Sequence, residues 1–167
     1  MRVVIALGSN LGDRPAALDF AIDRLSRLIA NLTISSFIET DPEGKGLQDQ
    51  PRYLNAVVVG ETTLGAREML DHLLAIERAY GRERPYTGAP RTLDLDLILL
   101  GDTIEHAPDL QVPHPRFRER LFVLGPLSDV APGITDPETG LTAFELLARL
   151  KKRKGPEASS QKPGAER

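Results

Sequence analysis

The sequence contains no cysteine, which excludes disulfide bonds, thiolate metal sites and cysteine nucleophiles. It also has no run of about 20 apolar residues, the length that a membrane-spanning helix requires. The apolar run at residues 3–7 is too short for the hydrophobic region of a signal peptide. We therefore expect a cytoplasmic protein that has no membrane partner.

A strong charge of either sign is missing as well. The formal net charge is -3 at pH 7 and the sequence pI is about 5.7, so we expect no general attraction to nucleic acid. The P-loop pattern Gly-x-x-x-x-Gly-Lys-Ser/Thr is absent too. Any phosphate would have to be held by local clusters of basic side chains together with a metal ion.

The sequence does have the composition of one globular domain, with 167 residues of which 41% are hydrophobic and 27% charged. Hydrophobic spacing predicts the order strand, helix, strand, strand, helix, strand. These elements are predicted at residues 3–7, 13–29, 32–40, 53–60, 63–81 and 93–100. The order is typical of a ferredoxin-like α+β domain, an antiparallel sheet with helices packed on one face.

A C-terminal helical addition follows this core. Thr142 and Glu145 have the spacing of a capping box, which predicts a helix that reaches Leu150. From Lys151 onward the chain loses its hydrophobic residues and gains Lys, Pro, Gly and Ser. We therefore predict one domain at residues 1–150 and a disordered basic tail at residues 151–167.

Two aspartates on the last strand of the core are candidate metal ligands. Side chains alternate along a strand, so Asp94 and Asp96 should share one face, together with Ile98 and Leu100. The opposite face should present four leucines to the core: Leu93, Leu95, Leu97 and Leu99. Bare carboxylates on an apolar strand would repel each other. Because Mg²⁺ commonly binds one or two carboxylates and fills its shell with water and substrate phosphate, the pair suggests a magnesium site.

Basic side chains cluster around this strand. Seven arginines and no lysine lie between residues 78 and 120: Arg78, Arg82, Arg84, Arg91, Arg116, Arg118 and Arg120. Arginine binds phosphate through a planar fork and stays charged in any site. We expect about half of them to be functional, with Arg78 and Arg118 as ordinary surface charges. His114, between two prolines, is a candidate donor to a phosphate oxygen.

These patterns alone leave three classes of function open. The first is an enzyme that transfers phosphoryl groups with Mg²⁺. The second is a Mg²⁺-dependent nucleotidyl- or glycosyl-transferase that uses the Asp-x-Asp pair on another acceptor. The third is a ferredoxin-like module that binds nucleotide or RNA without catalysis, which the acidic pI disfavours.

Several short motifs, in the right order, resemble the 6-hydroxymethyl-7,8-dihydropterin pyrophosphokinases. They lie at residues 8–12 (GSNLG), 49–51 (DQP), 53–56 (YLNA), 81–82 (GR), 90–96 (PRTLDLD), 112–115 (VPHP), 122–127 (FVLGPL) and 131–132 (AP). The segment at residues 91–96 is the most specific of them, and the resemblance covers about residues 1–150. Leu74 stands where some members of the family have a Gln that contacts the nucleotide.

The resemblance implies transfer of the pyrophosphoryl group of ATP to the hydroxymethyl group of the dihydropterin, with release of AMP, in folate biosynthesis. It implies two Mg²⁺ ions bound by Asp94 and Asp96, and ATP as co-substrate. The implied catalytic residues are Arg82, Arg91, Asp94 and Asp96. The implied pterin-binding residues are Thr40, Asp41, Pro42, Glu43, Tyr53, Asn55 and Phe122. The implied ATP-binding residues are Leu70, Glu77, Arg84, Arg91, Leu97, Ile98, His114 and Arg120. We expect a monomer.

Overall fold

The predicted order of strands and helices is present in the computed structural model, which describes residues 1–41, 52–82, 93–155 and 162–163. The core elements are β1 (Arg2–Ser9), α1 (Arg14–Leu25), β2 (Ala30–Ile34), β3 (Ile38–Thr40), β4 (Tyr53–Glu61), α2 (Ala66–Arg82) and β5 (Asp94–Leu100). The elements that follow are β6 (Glu105–Ala107), β7 (Leu110–Val112), a 3₁₀ turn (Phe117–Glu119), α3 (Leu121–Val130), α4 (Ala143–Lys154) and β8 (Lys162–Pro163). No helix in the described ranges is long and apolar enough to cross a membrane.

The main sheet is antiparallel and has the order β5-β1-β4-β3-β8, with β2 also paired to β4. A different pair of helices packs on each face of the sheet. α1 and α2 pack on one face, as predicted, over a core that includes Leu7, Leu18 and Leu73. The C-terminal addition, α3 and α4, packs on the opposite face over Val57 and Ile98. The sheet is therefore the middle layer of three.

The strand predicted at residues 32–40 is two strands, β2 and β3, with an interruption at Ser35. The backbone N–H of Ser35 donates to the carbonyl of Val57, while the hydroxyl of Ser35 accepts from the N–H of Val57, both at 2.9 Å. A side-chain oxygen thus replaces a backbone carbonyl in the ladder. Phe37, which follows, turns into the core and is 1% exposed.

The predicted alternation along β5 is correct through Ile98 and wrong after it. Ile5 pairs with Leu97 and Val4 with Leu99, so Ile98 is an extra residue in a β-bulge. The bulge places both Ile98 and Leu99 against the α3–α4 layer and returns Leu100 to the α1–α2 side. Leu99 and Leu100 therefore lie on the faces opposite to those predicted.

Two further differences concern the C-terminal part. No helix was predicted at Leu121–Val130, although α3 forms there around four buried apolar side chains, Val123, Leu124, Pro126 and Leu127. Gly125 and Pro126 disfavour a helix interior, so this burial outweighs local propensity. The capping box at Thr142 and Glu145 is confirmed. The helix that it begins continues through Lys151–Lys154, four residues past the predicted domain boundary.

Candidate active site

A cleft of about 690 Å³ opens beside the α3–α4 layer and extends past the edge strand β5 to α2. The central strand β1 forms its floor. Gly8 pairs with Asn55 on β4 and with Asp94 on β5, and Ala6 pairs with Val57 and Asp96. Directly paired residues point to the same face of an antiparallel sheet. Gly8 and Ala6 therefore leave an open trough with Asn55 on one side and Asp94 and Asp96 on the other.

On one side of the trough lies what we name the amide half, formed by Thr40, Tyr53 and Asn55. Asn55 is only 5% exposed, and its Nδ2 donates a hydrogen bond of 2.7 Å to Oγ1 of Thr40. Thr40 is the last residue of β3 and pairs with Tyr53, the first residue of β4. A buried amide that is fixed by a neighbour presents its remaining polar atoms in one orientation.

On the other side lies the carboxylate half, formed by Glu77, Asp94, Asp96 and Arg120. Arg120 Nη1 is 4.0 Å from Asp96 Oδ2, and the two side chains are 16% and 47% exposed. Glu77 is 9% exposed, and its Oε2 accepts a hydrogen bond of 2.7 Å from the N–H of Leu95. That bond fixes α2 to β5 at the position between the two aspartates.

The carboxylate half fits a magnesium ion by its donor set. Asp94 and Asp96 both line the cleft, and no cluster of three or more His, Cys, Asp or Glu side chains suited to a metal occurs in the described ranges. Mg²⁺ needs no such cage, since it usually keeps several waters and binds one or two carboxylates together with substrate phosphates. Zn²⁺ or Ca²⁺ would require more protein ligands.

His114 lies beside the carboxylate half. Its backbone N–H donates to the carbonyl of Ile98 at 2.9 Å, which ties this loop to the bulge of β5. Burial lowers the pKa of His114, and the positive charges of Arg120 and Arg116 lower it further. The nearby carboxylate of Asp96 acts to raise this pKa but does not outweigh them. The imidazole is therefore neutral near pH 7, where one nitrogen can donate a hydrogen bond and the other can accept one.

Most of the predicted site residues meet in this one cleft. Those that line it are Thr40, Asp41, Tyr53, Asn55, Leu70, Glu77, Asp94, Asp96, Arg120 and Phe122. The side chains of Leu97 and Ile98 do not reach it, because they are buried in the two cores, at 5% and 0% exposure. The predictions for Pro42, Glu43, Arg84, Arg91 and the side chain of Arg82 lie outside the described residues.

Sequence reasoning missed some lining residues and misjudged another arginine. Asn10, Leu74 and Arg116 also line the cleft. Two signals were available: Leu74 stands at a nucleotide-contacting position of the family, and Arg116 belongs to the basic cluster. Arg118 was expected to be an ordinary surface charge, which is wrong. It forms a bidentate ion pair with the buried carboxylate of Asp136, at 2.6 and 3.0 Å.

Comparison with known proteins gives a consistent family. The family model described as 7,8-dihydro-6-hydroxymethylpterin-pyrophosphokinase (HPPK) matches residues 4–132. A 2-amino-4-hydroxy-6-hydroxymethyldihydropteridine pyrophosphokinase of Pseudomonas aeruginosa is 42% identical over 149 residues, which are 88% of this chain and 90% of the relative. The enzyme of the same name from Bacillus subtilis is 38% identical over 152 residues, 90% of each chain.

Solved structures agree in fold. The crystal structure of Plasmodium falciparum HPPK-DHPS superimposes with a TM-score of 0.74 at 14% identity, over 97% of this chain and 48% of that one. This chain thus spans about half the length of that protein. At this identity the likeness shows the shared fold.

Proposed function

The chain belongs to the 7,8-dihydro-6-hydroxymethylpterin-pyrophosphokinase family, and we propose that the two halves of its cleft bind the two substrates of that reaction. It is a pyrophosphokinase of folate biosynthesis. It transfers the pyrophosphoryl group of ATP to the hydroxymethyl group of 6-hydroxymethyl-7,8-dihydropterin and releases AMP. The observation that supports the division is that Gly8 pairs with both Asn55 and Asp94, so a single residue separates an amide site from a carboxylate site.

The amide half suits the pterin. The ring is flat and carries hydrogen-bonding atoms along one edge, so a fixed, buried amide such as that of Asn55 can recognise it. The aromatic side chains of Tyr53 and Phe122 line the same cleft and offer faces on which the ring can stack. Thr40 and Asp41 complete this half, and we propose from the resemblance that Pro42 and Glu43 continue the pocket.

The carboxylate half suits the triphosphate of ATP. Asp94 and Asp96 would hold two Mg²⁺ ions, which when bound neutralise phosphate charge and orient the transferring group. Arg120, at 4.0 Å from Asp96, places a permanent cation where charge develops. His114 is neutral and can donate to a phosphate oxygen. By resemblance we assign Arg82, Arg84 and Arg91 to the same phosphates.

Leu70, Leu74 and Glu77 line the cleft from α2 and form the wall on which we place the nucleoside. Leu97 and Ile98 have buried side chains, so any contact that they make with adenine would use their backbone atoms. Leu74 is 41% exposed and would give an apolar contact where a Gln in other members would give a polar one.

The reaction itself requires positioning more than covalent chemistry by the protein. The hydroxymethyl oxygen of the pterin attacks the β-phosphorus of ATP. The bond between that phosphorus and the oxygen bridging to the α-phosphate breaks, AMP leaves with that oxygen, and the hydroxyl proton is lost. The floor at Gly8 sets how far apart the two substrates lie, while Arg120 stabilises charge at the transferring phosphates.

The function is tested by one incubation with ATP, Mg²⁺ and the hydroxymethyl dihydropterin, followed by chromatography of the nucleotides. AMP should appear in step with loss of the pterin substrate. ADP, or transfer to another acceptor, would instead favour a different Asp-x-Asp transferase, and binding without turnover would favour a non-catalytic nucleotide-binding module.

We also propose that the enzyme acts as a monomer in the cytoplasm. Both substrates are small molecules. Sedimentation at several protein concentrations tests this. A mass near 18.3 kDa that does not change with concentration is expected, and a dimer would contradict it.

A further inference from the structure

We propose that the ion pair between Arg118 and Asp136 is a positioning device that sets Arg120 and Phe122 in the cleft. Neither Arg118 nor Asp136 lines the cleft. The inference rests on the proposed function, since it concerns how the two substrate halves are held in register. The residues act through the 3₁₀ turn at Phe117–Glu119, which carries the chain from His114 to the start of α3.

The carboxylate of Asp136 is one fixed end of this device. Its side chain is 0% exposed, yet each oxygen has two hydrogen-bond donors. Oδ2 accepts from Arg118 Nε at 2.6 Å and from Thr139 Oγ1 at 2.8 Å; Oδ1 accepts from Arg118 Nη2 and from the N–H of Glu138, both at 3.0 Å. A buried carboxylate with this many donors stays ionised and rigid.

The segment that carries Asp136 is itself tied to α4. The backbone N–H of Asp136 donates to the carbonyl of Leu141 at 2.9 Å, and the N–H of Gly140 donates to the carbonyl of Asp136 at 2.8 Å. Ala143, the first residue of α4, donates to the carbonyl of Ile134 at 2.9 Å. The position of Asp136 is therefore set by the C-terminal helix and the capping box that begins it.

The 3₁₀ turn is the part that needs such an anchor. A single turn of helix has too few hydrogen bonds to be stable by itself. Phe117 is buried at 0% exposure, and the guanidinium of Arg118 stacks over its ring at 4.9 Å. The ion pair thus fixes the turn from its second residue. Two residues that line the cleft, Arg116 and Arg120, directly flank the turn, and a third, Phe122, follows in the first turn of α3.

Arg118 and Arg120 point to different partners. Arg118 reaches the 134–142 segment, whereas Arg120 reaches Asp96 and lies 5.5 Å from the ring centroid of Phe122. Because the turn is short, any rotation that follows loss of the Asp136 contact also rotates Arg120 and Phe122. A shift of about 1 Å at a substrate-positioning group can cost up to about 100-fold in rate. Loss of the anchor should therefore weaken both halves of the cleft together.

The first test needs no substrate and so does not depend on the proposed function. The NMR signals of Arg120 Nε–H and of the Phe122 ring are compared between wild type, Asp136→Asn and Thr139→Val. Thr139→Val is the matched control, because it removes one donor to the same carboxylate but leaves both Arg118 contacts in place. We expect both signals to move in Asp136→Asn and to stay in Thr139→Val. Unchanged signals in Asp136→Asn would overturn the proposal.

The second test is a double-mutant cycle in kcat/KM for AMP formation, with Asp136→Asn and Arg120→Ala. If Asp136 acts through Arg120, the effect of Asp136→Asn should be about 10- to 100-fold alone and much smaller in the Arg120→Ala background. Fully multiplicative effects would overturn the proposal. A wild type that forms no AMP would contradict the proposed function, while the NMR comparison would still decide the inference.

If Asp136→Asn does not fold, Arg118→Gln is used in its place. In that variant Asp136 keeps its donors from Thr139 and Glu138. Arg118→Lys keeps the charge but not the two-point contact, so it should restore part of the lost kcat/KM. A lysine variant no better than glutamine would show that the two-point contact alone is required, whereas wild-type activity in both would overturn the proposal.

Discussion

Asn55 in the amide half is 5% exposed and hydrogen-bonded to Thr40 at 2.7 Å, whereas the side chain of Asp96 in the carboxylate half is 47% exposed and 4.0 Å from Arg120. The two halves share the floor formed by β1. They differ in how far their polar side chains are buried and fixed before a substrate binds. An amide can be buried and fixed in advance because a neutral partner satisfies it. Paired carboxylates must stay hydrated, since their burial without a cation would be costly. One half is thus specific by shape and the other by charge.

The largest effect is expected from removing a charge of the carboxylate half. Asp96→Ala should lower kcat for AMP formation by about 10³-fold, because a metal ligand supports several kcal/mol of transition-state stabilisation. Circular dichroism should be unchanged, since the residue is half exposed. Asp102→Ala, an exposed aspartate just beyond β5, is the control and should have normal activity. Near-normal turnover of Asp96→Ala would exclude Asp96 from the metal site.

A smaller effect is expected from the amide half. Asn55→Ala should raise the KM for the pterin by about 10²-fold, because an unsatisfied buried edge costs up to about 3 kcal/mol. The affinity for an ATP analogue, measured by calorimetry with Mg²⁺, should change little. The exposed amide of Gln111 on β7 provides the control variant, Gln111→Ala. Equal losses for both substrates would mean that the halves are not separate sites.

The floor between the halves gives a still smaller effect. A Cβ on Gly8 would lie 3.2 Å from Asn55 Oδ1 and 3.6 Å from Tyr53 Cδ1, so Gly8→Ala should displace the amide by a few tenths of an ångström. We expect about a tenfold rise in KM for the pterin. Gly133→Ala is the control, because its Cβ would meet nothing within 4 Å. If Gly8→Ala changed the affinity for ATP more than the KM for the pterin, the assignment of Asn55 to the pterin would be contradicted.

The same comparison shows what could be inferred from sequence. The aspartate pair was predictable because alternation along a strand is local, and Asp94 and Asp96 do share the cleft. Tyr53 and Asn55 look like ordinary strand residues, and only the resemblance placed them in a site. The bulge at Ile98 was not visible, because it depends on the register of β1 against β5. Arg118 was misjudged since its partner, Asp136, is 18 residues away in sequence.

The last prediction concerns stability instead of turnover and asks whether the two halves share one support. Hydrogen bonds from Arg118, Thr139 and the backbone of Glu138 outweigh burial and hold the pKa of Asp136 below its ordinary value of 3.8. A carboxyl group whose pKa is lowered by folding stabilises the fold above the unfolded pKa, and this contribution is lost as the pH falls through the folded pKa.

Urea unfolding of wild type and Asp136→Asn tests this sign. The variant should be less stable by about 2 kcal/mol near neutral pH, as expected for a lost hydrogen bond to a charged group. The difference should shrink as the pH falls from 3.8 toward the lower pKa of the folded protein. The unfolded chain takes up the proton first, and the folded carboxylate is protonated only at the lower pH, where its contact with Arg118 weakens. Arg67→Met, which removes an exposed ion pair with Asp109, should change stability by less than about 1 kcal/mol. A constant difference across this pH range would mean that the charge of Asp136 does not hold the turn, and the two halves would then need separate supports.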